Sequence, residues 1–262
     1  MNIPNLNDQV IMITGISGQI GQMLVSTALK GGAKVLGLDI SMDAMEKVAE
    51  DLKWDLNSIQ MSKADIKQIS EVKIAFESAV DRFGYISSLI NNAGISVFSP
   101  WTDRSEEEID LVTNVNLKGT FNCMKIFMQH CIETKHQGSI VNVASHYGLI
   151  SPDPKIYTDC ARRSPEIYGA TKAGVIQMTK YFSVNAIADG ADIRVNAVAP
   201  GGVRNPWDAQ GEDFQRLYSE RCPMGRLAEI EEIVGPIFFL LSKEASYING
   251  HTLVIDGGMT AW

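Results

Sequence analysis

The sequence predicts an α/β fold in which a single doubly wound parallel sheet is flanked by helices on both faces. An apolar, β-branched run over residues 10–14 opens the chain and leads through a glycine-rich turn into a helical pattern. Strand-like and helix-like segments then alternate, and right-handed crossovers build parallel sheets from such alternation. Polar residues end several strand-like runs, which places them at the edge of the sheet where ligands bind.

Length and composition narrow the class of protein. With 262 residues, 45% of them hydrophobic, the chain can bury one sizeable core, and we expect a single domain over residues 1–262. A net charge of −8 and a pI near 5.1 argue against nucleic acid or anionic membrane as a partner. The N-terminus has no basic segment followed by an apolar one, and no apolar run could span a bilayer, so we expect a cytoplasmic protein.

The cysteines and histidines show no metal-binding pattern. No two cysteines form a C-x-x-C pair, which suits reduced thiols in a reducing compartment. The four histidines lack the spacing of metal ligands, so we expect no structural metal. The cysteines are Cys123, Cys131, Cys160 and Cys222.

The first strand–turn–helix unit carries Gly15, Gly18 and Gly21 ahead of a helix predicted over 22–30. Glycine allows unusual φ and close approach to a ligand, and the first turn of a helix offers free N–H groups to a pyrophosphate. A plain turn can use the same glycines. The next strand-like run ends at Asp39, whose carboxylate can accept both hydroxyls of an adenosine ribose and repel a 2′-phosphate. We therefore expect a dinucleotide site that prefers NAD to NADP.

The remaining elements follow the same alternation. Ser41 can cap a helix that continues through Leu52. Strands are predicted over 58–64, 88–94, 138–145, 193–201 and 252–258, and helices over 69–83, 168–186 and 229–241. A long helix is expected from Ser105 to Lys118 and beyond, with Asn116 in its interior. Asparagine is a poor choice there unless its side chain has a role, the alternative being that it merely faces water.

Tyr168 and Lys172 are four residues apart, so both side chains lie on one face of a helix. A lysine ammonium near a phenol favours the phenolate and lowers the pKa of the tyrosine, which would let Tyr168 act as a general acid or base near neutral pH. Such a pair is also common as a solvated contact. Its position after a dinucleotide-binding pattern favours the functional interpretation.

Taken in order, these segments resemble the short-chain dehydrogenase/reductase family over essentially the whole chain. The resemblance implies a Rossmann-type fold and an NAD-dependent oxidoreductase that interconverts a secondary alcohol and a ketone. The motifs that carry it are Thr14-Gly15 with the following glycines, Asn91-Asn-Ala-Gly94, Asn116, Ser145, Tyr168-x-x-x-Lys172, Ile193-Arg-Val-Asn196, Pro200-Gly201 and Val254-Ile-Asp-Gly-Gly258.

The resemblance also implies a role for each catalytic residue. Tyr168 would exchange a proton with the substrate oxygen, and Ser145 would orient the same oxygen. Lys172 would lower the pKa of Tyr168 and bind the nicotinamide ribose, while Asn116 would hold a water that links Lys172 to solvent. The implied cofactor contacts are Gly15, Ser17, Gly18, Gln19, Ile20, Gly21, Asp39, Asp65, Ile66, Asn92, Ala93, Gly94, Tyr168, Lys172, Pro200, Gly201 and Val203.

The sequence departs from the family pattern in three places. Gln19 stands where classical members carry a glycine, and Asn205 where many carry a threonine that binds the nicotinamide amide. The segment between the serine and the tyrosine is longer than usual and contains Arg162 and Arg163, which could grip a phosphate or carboxylate or simply be solvated. Elongated members with a similar C-terminal Thr-Ala-Trp are associated with bacterial surface-glycan sugar synthesis, so we expect a polar, sugar-like substrate.

Two other functions stay open at this point. A 3-oxoacyl-thioester reductase is the nearest enzymatic alternative, although Asp39 argues against its usual NADP preference. A non-catalytic nucleotide sensor should lack part of the catalytic set, and all four residues are present. The family implies a homotetramer or homodimer that uses helices near 105–129 and 168–189. It also implies a substrate lid at about 202–225, with Trp207, Phe214, Leu217 and Tyr218 facing inward.

Overall fold

One parallel sheet forms the centre of the molecule. The computed structural model describes residues 5–158, 164–205 and 211–262. In this part of the chain seven strands pair in parallel in the order β3-β2-β1-β4-β5-β6-β7. The strands are β1 (Val10–Thr14), β2 (Lys34–Asp39), β3 (Ile59–Lys63), β4 (Ser88–Asn91), β5 (Gly138–Val143), β6 (Ile193–Pro200) and β7 (Thr252–Ile255). The predicted fold class and all seven predicted strands are confirmed.

Helices cover both faces of the sheet. They are α1 (Gln19–Lys30), α2 (Met42–Asp51), α3 (Ile69–Phe83), α4 (Glu106–Thr113), α5 (Thr120–Thr134), α6 (Glu166–Ala188), α7 (Glu212–Arg221) and α8 (Ile230–Leu241). The Ser41 hydroxyl caps α2 by accepting from the Ala44 amide at 3.2 Å, as predicted. Two predicted starts are too late, because α1 begins at Gln19 rather than residue 22 and α6 at Glu166 rather than residue 168.

The side chains of β1 show how the two layers divide. Ile11 and Ile13 belong to a core with α1 and α8, whereas Val10 and Met12 belong to a core with α3 and α5. Successive side chains of a strand point to opposite faces, so a strand covered on both sides is apolar throughout. All five residues of β1 are buried, which accounts for its uninterrupted apolar run.

The long helix predicted from Ser105 through Lys118 is interrupted, and this prediction is corrected. After α4 the backbone forms a six-residue π-helix, Asn114–Gly119, before α5 continues. The π-helix contains Asn116, which is only 1% exposed, so the alternative of a water-facing asparagine is wrong. Single π-helical turns inside α-helices are often found at functional sites.

The connections place the carboxyl ends of β1, β2, β4, β5 and β6 along one edge of the sheet. The strand order reverses direction between β1 and β4, which are neighbours although two strands separate them in sequence. Ligands of such sheets bind in the crevice at this point. In the described ranges no helix combines the length and apolarity needed to cross a bilayer. Cys123, Cys131 and Cys222 are buried free thiols, and Cys160 lies outside the described residues.

Candidate active site

A cavity of about 720 Å³ opens at the carboxyl ends of the strands. Its volume lies within the range of small-molecule and cofactor sites. Of the predicted cofactor residues, Ser17 and Gly21 are not on its surface. The predicted residues that do line it are Gly15, Gly18, Gln19, Ile20, Asp39, Asp65, Ile66, Asn92, Ala93, Gly94, Tyr168, Lys172, Pro200, Gly201 and Val203. The fold therefore places nearly all of the residues predicted to contact the cofactor around one cavity.

The glycine-rich turn is held against the end of β4. Gly15 has φ +71°, and a Cβ at this position would lie 2.8 Å from Ala93 Cα. Both the conformation and the close approach require glycine. The Thr14 hydroxyl accepts from the amides of Asn92 and Ala93 at 3.1 and 3.0 Å, and the Asn92 amide group donates to Thr14 O and Gly15 O. Gln19, which replaces the family's glycine, donates from Nε2 to Arg204 O at 2.6 Å.

Gly21 supports the turn from inside α1, which explains why it does not reach the cavity. A Cβ on Gly21 would collide with the carbonyl of Gly15, whereas a Cβ on Gly18 would have only Gly15 O nearby, at 3.5 Å. We expect Gly21→Ala to lower the free energy of unfolding by about 1–3 kcal/mol, because overpacked sites must shift the backbone. Gly18→Ala should change it by less than about 1 kcal/mol. Urea unfolding of both variants is the measurement, and equal losses would refute the packing role.

Asp39 stands at the end of β2 with both carboxylate oxygens already in contact with the chain. Oδ2 accepts from the Ser17 amide at 2.9 Å, and Oδ1 accepts from the Ile40 amide at 2.8 Å. The Ser17 hydroxyl, by contrast, is buried without a hydrogen-bond partner among the described residues. Buried hydroxyls are rarely left unpaired. The glycine-rich turn and the Asp39 carboxylate both line the cavity, and this combination fits a dinucleotide.

The part of the cavity wall around Asp65 and Ile66 is apolar except for one ion pair. The Asp65 carboxylate accepts from the Lys67 amide at 3.0 Å and pairs with Lys67 Nζ at 3.4 Å. Ile66, Leu111 and Val115 line the same part of the wall and suit a flat aromatic base. The sequence analysis missed Leu111 and Val115. Their spacing of four residues on α4 and the π-helix was the available signal.

Ser145, Tyr168 and Lys172 meet where this cavity borders a second one. All three line the first cavity, and Lys172 Nζ donates to Val143 O, the last residue of β5, at 2.7 Å. Lys172 Nζ lies 5.6 Å from the centre of the Tyr168 ring. The serine follows β5 and the other two lie on α6, so the contact of helix and strand brings them together as predicted.

The predicted pKa of Tyr168 is wrong for the ligand-free chain. Burial raises the pKa of Tyr168 above its usual value, and a hydrogen bond with the Ser145 side chain opposes that rise. Burial also lowers the pKa of Lys172 to about 8, so part of its charge is lost near that pH. Desolvation disfavours both charged forms here, and the spacing of Tyr168 and Lys172 on one helix does not reveal this cause.

Asn116 lies behind the cavity wall rather than on it. Its Oδ1 accepts from the Ile95 amide at 2.8 Å, and its Nδ2 donates to Ile95 O at 2.9 Å and to Thr171 Oγ1 at 3.2 Å. The side chain thus joins the loop after β4 to α6. Lys172 Nζ and Asn116 Oδ1 both approach the Cβ direction of Gly94, at 3.2 and 3.4 Å.

The second cavity, of about 350 Å³, extends from Ser145 and Tyr168 toward α7. It shares Gly94, Ile95, Ser145, Tyr168 and Gly201 with the first cavity. The rest of its wall combines aromatic rings with polar groups, and most of these residues were not predicted. They are Ser96, Phe98, His146, Tyr147, Tyr157, Ser164, Gly202, Phe214 and Tyr218.

Residues 156 and 157 and helix α7 form one wall of this cavity. A buried cluster joins Ile156 and Tyr157 to Phe214 and Tyr218 of α7, with Leu217 packed against it. Of the four residues predicted on the inner face of a lid, Phe214 and Tyr218 line the cavity and Leu217 packs against their cluster. The fourth, Trp207, lies outside the described residues, as do Arg162 and Arg163.

Known proteins match this chain over nearly its whole length. A family model described as enoyl-(acyl carrier protein) reductase matches residues 15–260. The 3-oxoacyl-(acyl-carrier-protein) reductase FabG of Thermotoga maritima is 37% identical over 97% of this chain and 98% of the relative. The (2S)-[(R)-hydroxy(phenyl)methyl]succinyl-CoA dehydrogenase subunit BbsD of Thauera aromatica is 31% identical, covering 97% of each chain.

A solved structure agrees with these relatives. The short-chain dehydrogenase of Leptospira borgpetersenii, solved with bound NAD+, superposes with a TM-score of 0.87 at 38% identity and covers 98% of this chain and 94% of its own. The sheet order, the cavity at its carboxyl edge and these matches agree. The chain belongs to the classical short-chain dehydrogenase/reductase family and is an oxidoreductase that acts on CH–OH groups.

Proposed function

We propose that this enzyme uses NAD to interconvert a secondary alcohol and a ketone on a compact, polar, sugar-like substrate. The observation that carries the proposal is the meeting of Ser145, Tyr168 and Lys172 at the border of the two cavities. The larger cavity holds the dinucleotide and the smaller one holds the substrate.

The roles of the chain's own groups follow from this placement. The bound cofactor would accept the hydride as NAD+ when the alcohol is oxidised and would supply it as NADH when the ketone is reduced. Tyr168 moves a proton between its phenol oxygen and the reacting oxygen of the substrate, and Ser145 Oγ orients that oxygen by hydrogen bonding. Lys172 is buried beside them, and in its protonated form it favours the phenolate of Tyr168. Asn116 positions Ile95 and α6, through the hydrogen bonds described above.

The charges around the ribose end support NAD over NADP. The Asp39 carboxylate faces this end of the cavity, and Lys67, a cation on the same wall, is paired with Asp65. A 2′-phosphate placed here would meet an unneutralised carboxylate, and like charges at close range disfavour binding.

The wall of the smaller cavity supports a compact polar substrate. Rings of Tyr147, Tyr157 and Tyr218 line it, and two of their hydroxyls, those of Tyr147 and Tyr157, lie 2.8 Å apart. Aromatic faces with hydroxyl tips offer apolar contact and hydrogen bonds together, which suits a hydroxylated ring. We also propose that α7 acts as a lid over this cavity and that the enzyme forms a homotetramer or homodimer through α4, α5 and α6.

A second candidate is reduction of a 3-oxoacyl thioester. The similarity to the Thermotoga maritima reductase, at 37% identity over nearly the whole chain, favours it. Such substrates carry a keto group and a thioester carbonyl but no hydroxyl beside the reacting carbon.

The deciding experiment follows nicotinamide absorbance with NAD and NADP separately. The panel contains sugars, sugar phosphates, nucleotide sugars and a short β-ketoester. Turnover of a sugar compound with NAD is the expected result. Preferential reduction of the β-ketoester with NADPH would overturn both the substrate and the cofactor proposals and would favour the second candidate.

Asp39→Ser tests the cofactor argument separately. Removing the carboxylate should raise kcat/KM for NADPH relative to NADH by about tenfold or more, since tenfold corresponds to only about 1.4 kcal/mol. Asp43→Asn is the matched control, because Asp43 is exposed in the first turn of α2 and does not line the cavity. An unchanged cofactor ratio in Asp39→Ser would remove the basis for NAD preference.

A further inference from the structure

His146 directly follows Ser145 and has no assigned role in the proposed reaction. It begins a short 3-10 helix, His146–Gly148, at the end of β5, and the turn is closed by the Tyr147 amide donating to Ser145 Oγ at 3.1 Å. The residue is 3% exposed, yet it lines the smaller cavity together with Ser145 and Tyr168. A histidine is thus buried beside the position where the reacting oxygen would be held.

One hydrogen bond determines the tautomer of the His146 ring. Its Nδ1 lies 2.9 Å from the backbone oxygen of Pro200. A carbonyl oxygen can only accept, so Nδ1 carries the proton. Burial lowers the pKa of His146, against smaller opposite effects of Pro200 O and of the Asp256 charge, which favours the neutral ring at neutral pH. In a neutral ring with Nδ1 protonated, Nε2 carries a lone pair and acts as an acceptor.

The Nε2 atom is accessible and unpaired in the described part of the chain. The Pro200 contact is the one hydrogen bond recorded for the His146 ring there. The buried polar atoms that lack a partner are Ser17 Oγ, Asn91 Oδ1, His130 Nε2 and Thr252 Oγ1. Nε2 of His146 is not among them, so this atom is not sealed off. The Tyr147 ring packs 4.0 Å from the imidazole, centre to centre, and limits its rotation.

We propose that His146 Nε2 accepts a hydrogen bond from a substrate hydroxyl next to the carbon that is oxidised or reduced. This inference rests on the proposed alcohol–ketone reaction and specifies its substrate class as one with a hydroxyl beside the reacting carbon. A 3-oxoacyl thioester would instead present a carbonyl, so two acceptors would face each other across a buried site. Buried polar groups without a partner disfavour binding, so His146 selects against the thioester.

Two alcohols that differ by one hydroxyl test the proposal. 2,3-Butanediol has the neighbouring hydroxyl and 2-butanol lacks it. The wild-type enzyme with NAD should show a kcat/KM for the diol at least about tenfold higher than for 2-butanol, as expected for one hydrogen bond in a site with no competing water. The ketones acetoin and butanone, with NADH, give the same comparison in the reverse direction.

Two substitutions at His146 distinguish the loss of the Nε2 acceptor from an effect on the fold. His146→Asn keeps a side-chain N–H for Pro200 O but has no atom at the Nε2 position, so the preference for the diol should disappear. His146→Gln places an amide oxygen near that position and should restore part of the preference. NADH affinity, measured by fluorescence, should stay within about threefold in both variants. A diol preference that is unchanged in His146→Asn overturns the proposal.

A spectroscopic measurement covers the case in which neither alcohol is a good substrate. The ¹⁵N chemical shift of His146 Nε2 reports hydrogen bonding to this atom directly. In the full-length enzyme with NAD, 2,3-butanediol should shift the resonance and 2-butanol should not. Equal shifts, or none, would refute the role of His146. If the wild-type enzyme oxidises no alcohol of any class while the shift is present, the proposed reaction fails and the hydroxyl site stands.

Discussion

Tyr168→Phe should lower kcat by about 100- to 10,000-fold, the range typical of a lost general acid or base. The phenol oxygen is the only part removed, and the ring remains to fill its half-buried position on α6. NADH affinity should therefore change by less than about threefold. Steady-state kinetics with the best substrate of the panel and NADH fluorescence titration are the measurements.

Tyr181→Phe provides the matched control for this loss. Tyr181 lies on the same helix but is 55% exposed and lines neither of the two large cavities. Its kcat should equal that of the wild-type enzyme. Retention of more than about a tenth of wild-type kcat by Tyr168→Phe would assign the proton transfer to another group.

Lys172→Met should abolish turnover and at the same time stabilise the ligand-free protein at neutral pH. Burial lowers the pKa of Lys172 from its ordinary 10.5 to about 8, which corresponds to roughly 3 kcal/mol against the charged, folded state. The variant also loses the hydrogen bond to Val143 O, worth about 1 kcal/mol. The remaining gain of about 2 kcal/mol should raise the Tm by about 4–8 °C at pH 7.

The pH dependence of this difference has a definite sign. Below pH 8 the unfolded chain and the folded chain both bind the proton, and the folded chain bears the full cost of a buried charge. As the pH rises from about 8 to 10.5 the folded chain has lost the proton and the unfolded chain still holds it, so wild-type stability rises. The Tm advantage of Lys172→Met should therefore shrink between pH 8 and 10.

Lys180→Met is the control for the change in charge. Lys180 is exposed on α6, two turns after Lys172. The Tm of the Lys180→Met variant should differ little from that of the wild type at about pH 7 or about pH 10. If Lys172→Met lowers the Tm at pH 7 while Lys180→Met leaves it unchanged, packing or hydrogen bonding at Lys172 outweighs desolvation.

The fold and most of the site could be predicted because their signals are local. The apolar run of β1, the glycines after it and the acid at the end of β2 are each readable within a few residues. Parallel strands bring their carboxyl ends to one edge, so polar residues at Thr14, Asp39 and Asn92 could be placed together without knowing any contact. The alternation of strands and helices then gave the sheet.

Properties that depend on surroundings could not be predicted in the same way. The pKa of Tyr168 was expected to fall because Lys172 is four residues away, yet burial from other elements decides its direction. The partners of Asn116 could not be predicted either, because its side chain bonds to Ile95 and Thr171, which are distant in sequence. Its role in holding a water stays a prediction. The environment of His146 could not be predicted from its position next to Ser145, because its hydrogen bond to Pro200 O joins residues 54 positions apart.

Helix α7 packs against residues 153–157. This packing links access to the smaller cavity with the shape of that cavity. Tyr157 and Phe214 lie 5.5 Å apart, ring centre to ring centre, and Arg221 at the end of α7 reaches Asp153 at 3.9 Å. A movement of α7 that admits a substrate would carry Tyr157 with it. If α7 acts as the proposed lid, substitutions in this cluster should therefore change substrate selectivity and the rate of product release together.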